Sequence, residues 1–167
     1  MTTPDERDRD AAGRARNARP RDALGRPLPR SAAQDVPRIP DDLVIAPAEA
    51  AVLGGRLLAE GRPFHAHEVF EAAWKSVPGP ERELWRGLAQ VAVGLTHARR
   101  GNPRGASTLL RRGADRIAGF AGASAEVDAG FVAGQAATLA LRIERDGLAG
   151  IPEADLRLRL RPEPPPS

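Results

Sequence analysis

Two histidines, a glutamate, a glutamine and two tryptophans fall between positions 67 and 97 at spacings that a helical hairpin would bring together. At about 100° per residue, Phe64, His67, Glu71 and Trp74 form one row of a helix, with Ala66, Phe70, Ala73 and Val77 as an adjoining apolar row. His65, Glu68, Ala72 and Lys75 are left toward solvent. A buried imidazole such as His67 needs a polar partner. The following segment offers one, because Gly87, Gln90, Gly94, His97 and Gly101 repeat at three and four residues. A glycine inside a helix costs about 1 kcal/mol relative to alanine, so this stripe implies a close neighbour, expected to be the helix that carries His67. In an antiparallel pair His67 would then lie near His97, and Glu71 or Trp74 near Gln90.

His67, Glu71 and His97 are therefore the candidate ligands of one divalent metal ion, Zn, Mn or Fe, with open positions for water. Glu71 would be the general base of a hydrolytic reaction. Gln90 would orient a ligand or water and Trp74 would shield it. The order His67-Glu68-Val69-Phe70-Glu71 has glutamate where a zinc peptidase needs its second histidine. The Glu-x-x-His pairs of a di-iron bundle are missing as well. The competing reading makes the same residues a hydrogen-bond network that fixes packing in a non-catalytic interaction or scaffold protein.

The elements that must position these residues are all helices. Proline and glycine punctuate an alanine-, leucine- and arginine-rich text at helix-length intervals, which predicts an all-α, compact bundle of about five helices. The first starts at Pro47 and stops at Gly61. The second runs from Pro63 to Val77, and Pro78-Gly79-Pro80 turns the chain into a third, from Glu81 to about Arg100. Asn102 caps the fourth, with Pro103 in its first turn and a stripe of Ala106, Leu110, Gly113, Ile117 and Phe120. Ser124 is the expected cap of a fifth, in which Val127, Phe131, Leu139, Leu141 and Ile143 point inward. Gly130, Gly134 and Ala137 on that helix permit close packing within a chain or between copies in a homo-oligomer.

Charge divides the 167 residues unevenly. Residues 1–40 hold nine arginines against six acids, with six prolines, and account for the whole net charge of +3. So polar a leader is expected to be disordered. Residues 41–150 form the helical domain. Residues 151–167 are expected to be an extended or disordered tail, although Leu156 to Arg161 alternates leucine and arginine like a strand. Arg99, Arg100, Arg104, Arg111, Arg112 and Arg116 against Asp115 make a local +5. Without interleaved aromatics or a recognisable module, this patch reads as a solvated face, and nucleic acid is disfavoured as a partner. A small ligand or a protein partner fits better. The absence of cysteine excludes disulfides, thiol nucleophiles and cysteine-held metals. With no apolar run of membrane-spanning length and no secretory signal, the expected location is cytoplasmic.

The stretch Gly61-Arg62-Pro63-Phe64-His65-Ala66-His67-Glu68-Val69-Phe70-Glu71-Ala72-Ala73-Trp74, with Trp85-Arg86-Gly87-Leu88-Ala89-Gln90, His97, Arg100-Gly101-Asn102, Gly105-Ala106 and Leu109-Leu110, resembles a bacterial and archaeal family, domain of unknown function 309. The family's hallmark, His-x-x-x-Glu-x-x-Trp, falls on His67, Glu71 and Trp74. The resemblance spans Leu57 to Phe120 and extends to Asn102 as a candidate ligand-binding position. It implies a compact all-α bundle and supplies no activity. His65 stands where the family pattern has an acidic residue.

Overall fold

In the computed structural model, residues 39–40, 42–120, 122 and 124–167 are described. The leader expected to be disordered lies, but for Ile39 and Pro40, outside the described residues. Five helices follow in order: α1 (Pro47–Ala59), α2 (Pro63–Ser76), α3 (Glu81–Arg99), α4 (Pro103–Ala118) and α5 (Ala129–Asp146), then a short 3-10 turn at Glu153–Leu156. Among the described residues there is no strand, and no helix is long and apolar enough to cross a membrane.

Prolines in the first turns of α1, α2 and α4 fix φ where no intrahelical N–H bond is lost. Gly61, Gly79 and Gly101 close the first three links with positive φ, a conformation a side chain disfavours. Asn102 caps α4 by accepting a bond from the Gly105 N–H at 3.0 Å. The cap of α5 is Asp128, which accepts from the Phe131 N–H at 3.0 Å. Ser124, the expected cap, points instead at Glu126. Asp128 prevails because its side chain stands directly before the first turn of α5.

The core is one continuous cluster. Trp85, Phe70, Leu84, Leu88, Leu95, Leu110 and Ile117 are its largest fully buried side chains. Phe70 and Trp85 meet across the α2/α3 hairpin with ring centroids 6.1 Å apart. Gly54 of α1 leaves the space that the Phe70 ring fills, since a Cβ there would stand 2.2 Å from Cε1.

The glycines of α3 admit α4 and not α2. A Cβ on Gly87 would meet Ile117 and the Gly113 carbonyl, and one on Gly94 would meet Leu110 and the Ala106 carbonyl. Gly113 reciprocates, with a Cβ position 2.8 Å from the Gly87 oxygen. α3 is thus buried on two sides: aromatic and aliphatic contacts face α2, and backbone contacts face α4.

The tail is seated on the bundle. Leu158 and Leu160 are buried while Arg157, Arg159 and Arg161 are exposed, the period-two pattern of an extended chain. The Gln135 amide donates to the Arg159 carbonyl at 2.8 Å and accepts from its N–H at 3.2 Å. The Asp128 N–H donates to the Leu160 carbonyl at 2.8 Å. Leu141, expected inward, is 57% exposed because the inner face of α5 is carried by Val132, Ala136, Leu139, Ala140 and Ile143.

Candidate functional site

His67 and Glu71, one turn apart on α2, do meet: Nε2 and Oε2 are 3.5 Å apart. Lys75, one turn further, holds the other Glu71 oxygen at 3.3 Å. The Phe64 ring leans on the imidazole, its centroid 5.8 Å away. Burial pushes the His67 pKa below the usual imidazole value; Glu71 opposes this shift and Lys75 adds to it. The imidazole is thereby held toward its neutral form, with Nδ1 buried and without a hydrogen-bond partner.

The other members of the expected constellation belong to the α3/α4 side. Gln90 accepts from Arg116 Nε of α4 at 3.1 Å, and Arg116 also reaches Glu83. His97 is bonded to the capping residue of α4. Because Asn102 Oδ1 is committed to the Gly105 N–H, its amide nitrogen is the group that faces His97 Nδ1, at 3.1 Å. Nδ1 must then accept, which places the ring proton on Nε2. His97 therefore does not join His67 and Glu71, and among the described residues no three His, Cys, Asp or Glu side chains gather in a group able to hold a metal ion. The reason is the identity of the helix that fills the glycine stripe. Once α4 takes it, residues that share the stripe turn toward α4.

Trp74 is half-buried, and the guanidinium groups of Arg82 and Arg86 lie over its ring at 5.5 and 5.7 Å. Its indole is thus flanked by side chains of α3.

A second cluster escaped the periodicity argument. His65, assigned to solvent, is 2% exposed. Its pKa is lowered to about 4 by burial and by the neighbouring Arg62 charge. Nδ1 of His65 is buried without a partner, as are Nε and Nη2 of Arg99. Arg99 pairs through Nη1 with Glu153 at 2.7 Å, and the same Glu153 lies against Gly61 in the α1/α2 turn. Burial works against ionisation of Glu153, but Arg99 and Arg157 outweigh it and hold the carboxyl below its ordinary value. The C-terminal 3-10 turn therefore closes over the corner where α2 begins and α3 ends. Helical periodicity within α2 carries no signal of that closure, because Glu153 lies 92 positions from the Gly61 it meets.

The expected basic patch is largely answered by acids from other elements. Arg99 pairs with Glu153, Arg111 with Glu144 of α5, and Arg116 with Glu83.

The fold is a five-helix bundle with the His-x-x-x-Glu-x-x-Trp row on its second helix, and residues 52–109 match the family model of a domain of unknown function, DUF309. That segment runs from within α1 to within α4, so it contains the whole α2/α3 hairpin. "Uncharacterized protein YpuF" of Bacillus subtilis (strain 168) is 44% identical over 48 residues, which are 28% of this chain and 28% of that protein. The chain thus spans about a quarter of that relative's length. No solved structure matches.

Proposed function

We propose that this chain is a non-catalytic interaction or scaffold protein in which Trp74, Gln90, His97 and Asn102 hold three helices in register while His67 and Glu71 are taken up in a row along α2. The observation that supports this reading is the engagement of each of these residues by its own chain. Glu71 is taken by His67 and Lys75, Gln90 by Arg116, His97 by Asn102, and Trp74 by two arginines. A site built to receive substrate keeps polar groups converging on an open pocket. Here they diverge onto separate helix contacts. The hydrolytic reading would need His97 to leave Asn102 and join the α2 pair.

Thermal melts with and without Zn2+, Mn2+ or Fe2+ test the reading. A ligand that binds only the folded state raises its stability by RT ln(1 + [L]/Kd). The expected result is an unchanged Tm with each ion, and a lowered Tm in Gln90→Leu, which leaves Arg116 Nε without its acceptor. A rise of several degrees with one ion, abolished in His67→Ala, would overturn the proposal and restore the metal site.

A further inference from the structure

A groove of about 660 Å3 lies between α5 and the C-terminal segment. Phe131, Leu139 and Leu158 give it an apolar floor, and Thr138 supplies a hydroxyl. Arg142, Arg157 and Arg159 line it with one acid, Asp155, and each of the three is paired with a carboxylate of this chain. Gly134 leaves its floor open: an added Cβ would meet nothing within 4 Å. In α3 and α4 the interior glycines are each filled by a neighbour, whereas this one costs helix stability with no partner in its own chain.

We propose that this groove binds an extended acidic peptide of a partner protein. The inference rests on reading the chain as an interaction protein and names what it binds. The size is within the range of ligand-binding clefts. The three guanidinium groups already bind carboxylates: Arg142 holds Asp155 at 2.8 Å, Arg157 holds Glu153 at 3.3 Å, and Arg159 holds Glu163. All three pairs are solvent-exposed on at least one side, and such pairs are weak, so an incoming carboxylate can exchange with them. Register selects a peptide over a simple anion. Arg157 and Arg159 stand two residues apart on a chain of period-two alternation, a repeat of roughly 7 Å, which is also the spacing of alternate side chains on an extended partner.

Fluorescence anisotropy of the full chain with a labelled Glu-Ala-Glu-Ala-Glu peptide at low ionic strength is the test. Saturable binding is expected, weakening as salt rises, with the Gln-Ala-Gln-Ala-Gln peptide at least tenfold weaker. Gly134→Phe projects a ring into the groove from a position where an added Cβ meets nothing within 4 Å, and Arg157→Gln with Arg159→Gln removes the paired charges; each is expected to weaken binding about tenfold. The double variant Arg104→Gln with Arg112→Gln removes equal charge from α4, away from the groove, and is expected to change affinity less than twofold. Absence of binding, equal loss in the α4 control, indifference to Gly134→Phe, or equal affinity for citrate would each overturn the peptide assignment. None of these results bears on the metal-dependent melts, so the two proposals fail separately.

Discussion

His65 shows how a single side chain couples this fold to pH. Its pKa falls from 6.5 to about 4 on folding because a buried cation is costly and Arg62 repels it. Between those values the unfolded chain takes up a proton that the folded chain refuses. Stability is therefore complete above pH 6.5 and is lost as pH falls toward 4, by about 1.4 kcal/mol per unit and about 3 kcal/mol in all. His67, lowered in the same direction by burial, adds to the slope. Urea midpoints of the native chain are expected to fall steeply from pH 7 to 4.5, and those of His65→Gln more gently. Parallel profiles would show that another group carries the dependence. The row Phe64, His67, Glu71 and Trp74 was legible from spacing, because residues three and four apart on a helix share a face whatever surrounds it. The burial of His65 was not, since it is created by segments outside α2.

At the scale of elements, the contrast between glycines gives an opposite pair of expectations. Gly113 and Gly134 are both interior helix positions, where alanine is favoured by about 1 kcal/mol. At Gly134 nothing lies within 4 Å of the added methyl. Gly134→Ala should accordingly raise stability by about 1 kcal/mol. At Gly113 the methyl would stand 2.8 Å from the backbone oxygen of Gly87, which cannot swing aside as a side chain can. Gly113→Ala should lower stability by about 1 to 3 kcal/mol despite its better propensity. Denaturant melts of the two variants decide the matter, and equal shifts of one sign would refute the α3/α4 backbone crossing. Sequence alone identified Gly87 and Gly94 as contact positions, but not the helix they contact. Both hairpins, α2/α3 and α3/α4, have tight glycine-containing links, so each satisfies the same argument.

For the whole molecule, the C-terminal segment acts as a clasp. Arg99 to Glu153 ties it to the end of α3, Arg142 to Asp155 ties it to α5, and Leu158 and Leu160 are buried at 4% and 7% exposure. Burying a leucine fully contributes roughly 1.5 to 3 kcal/mol, and the two leucines together with three hydrogen bonds to the segment's backbone hold it on the bundle. Leu158→Ala with Leu160→Ala should then lower the Tm by several degrees and release the tail to proteolysis, while α1 to α5 stay folded. Resistance of the double variant to limited proteolysis would contradict the clasp. The ion pairs add specificity of docking more than stability, because most of their members are exposed.

What the amino-acid order determined without help is local. Prolines and glycines set where the five helices start and stop, apolar periodicity set most of their inner faces, and Asn102 declared the cap of α4. These follow from backbone geometry and side-chain spacing within a few residues. Which helix fills the α3 stripe, and therefore that His97 and Gln90 turn to α4 and leave His67 and Glu71 as a pair, was decided by tertiary packing. So were the closure of Glu153 over the Gly61 and Arg99 corner and the seating of the Leu-Arg tail on α5. Each depends on contacts between residues tens of positions apart. Periodicity specifies the direction of a side chain on its own helix, and not the segment that will be found there.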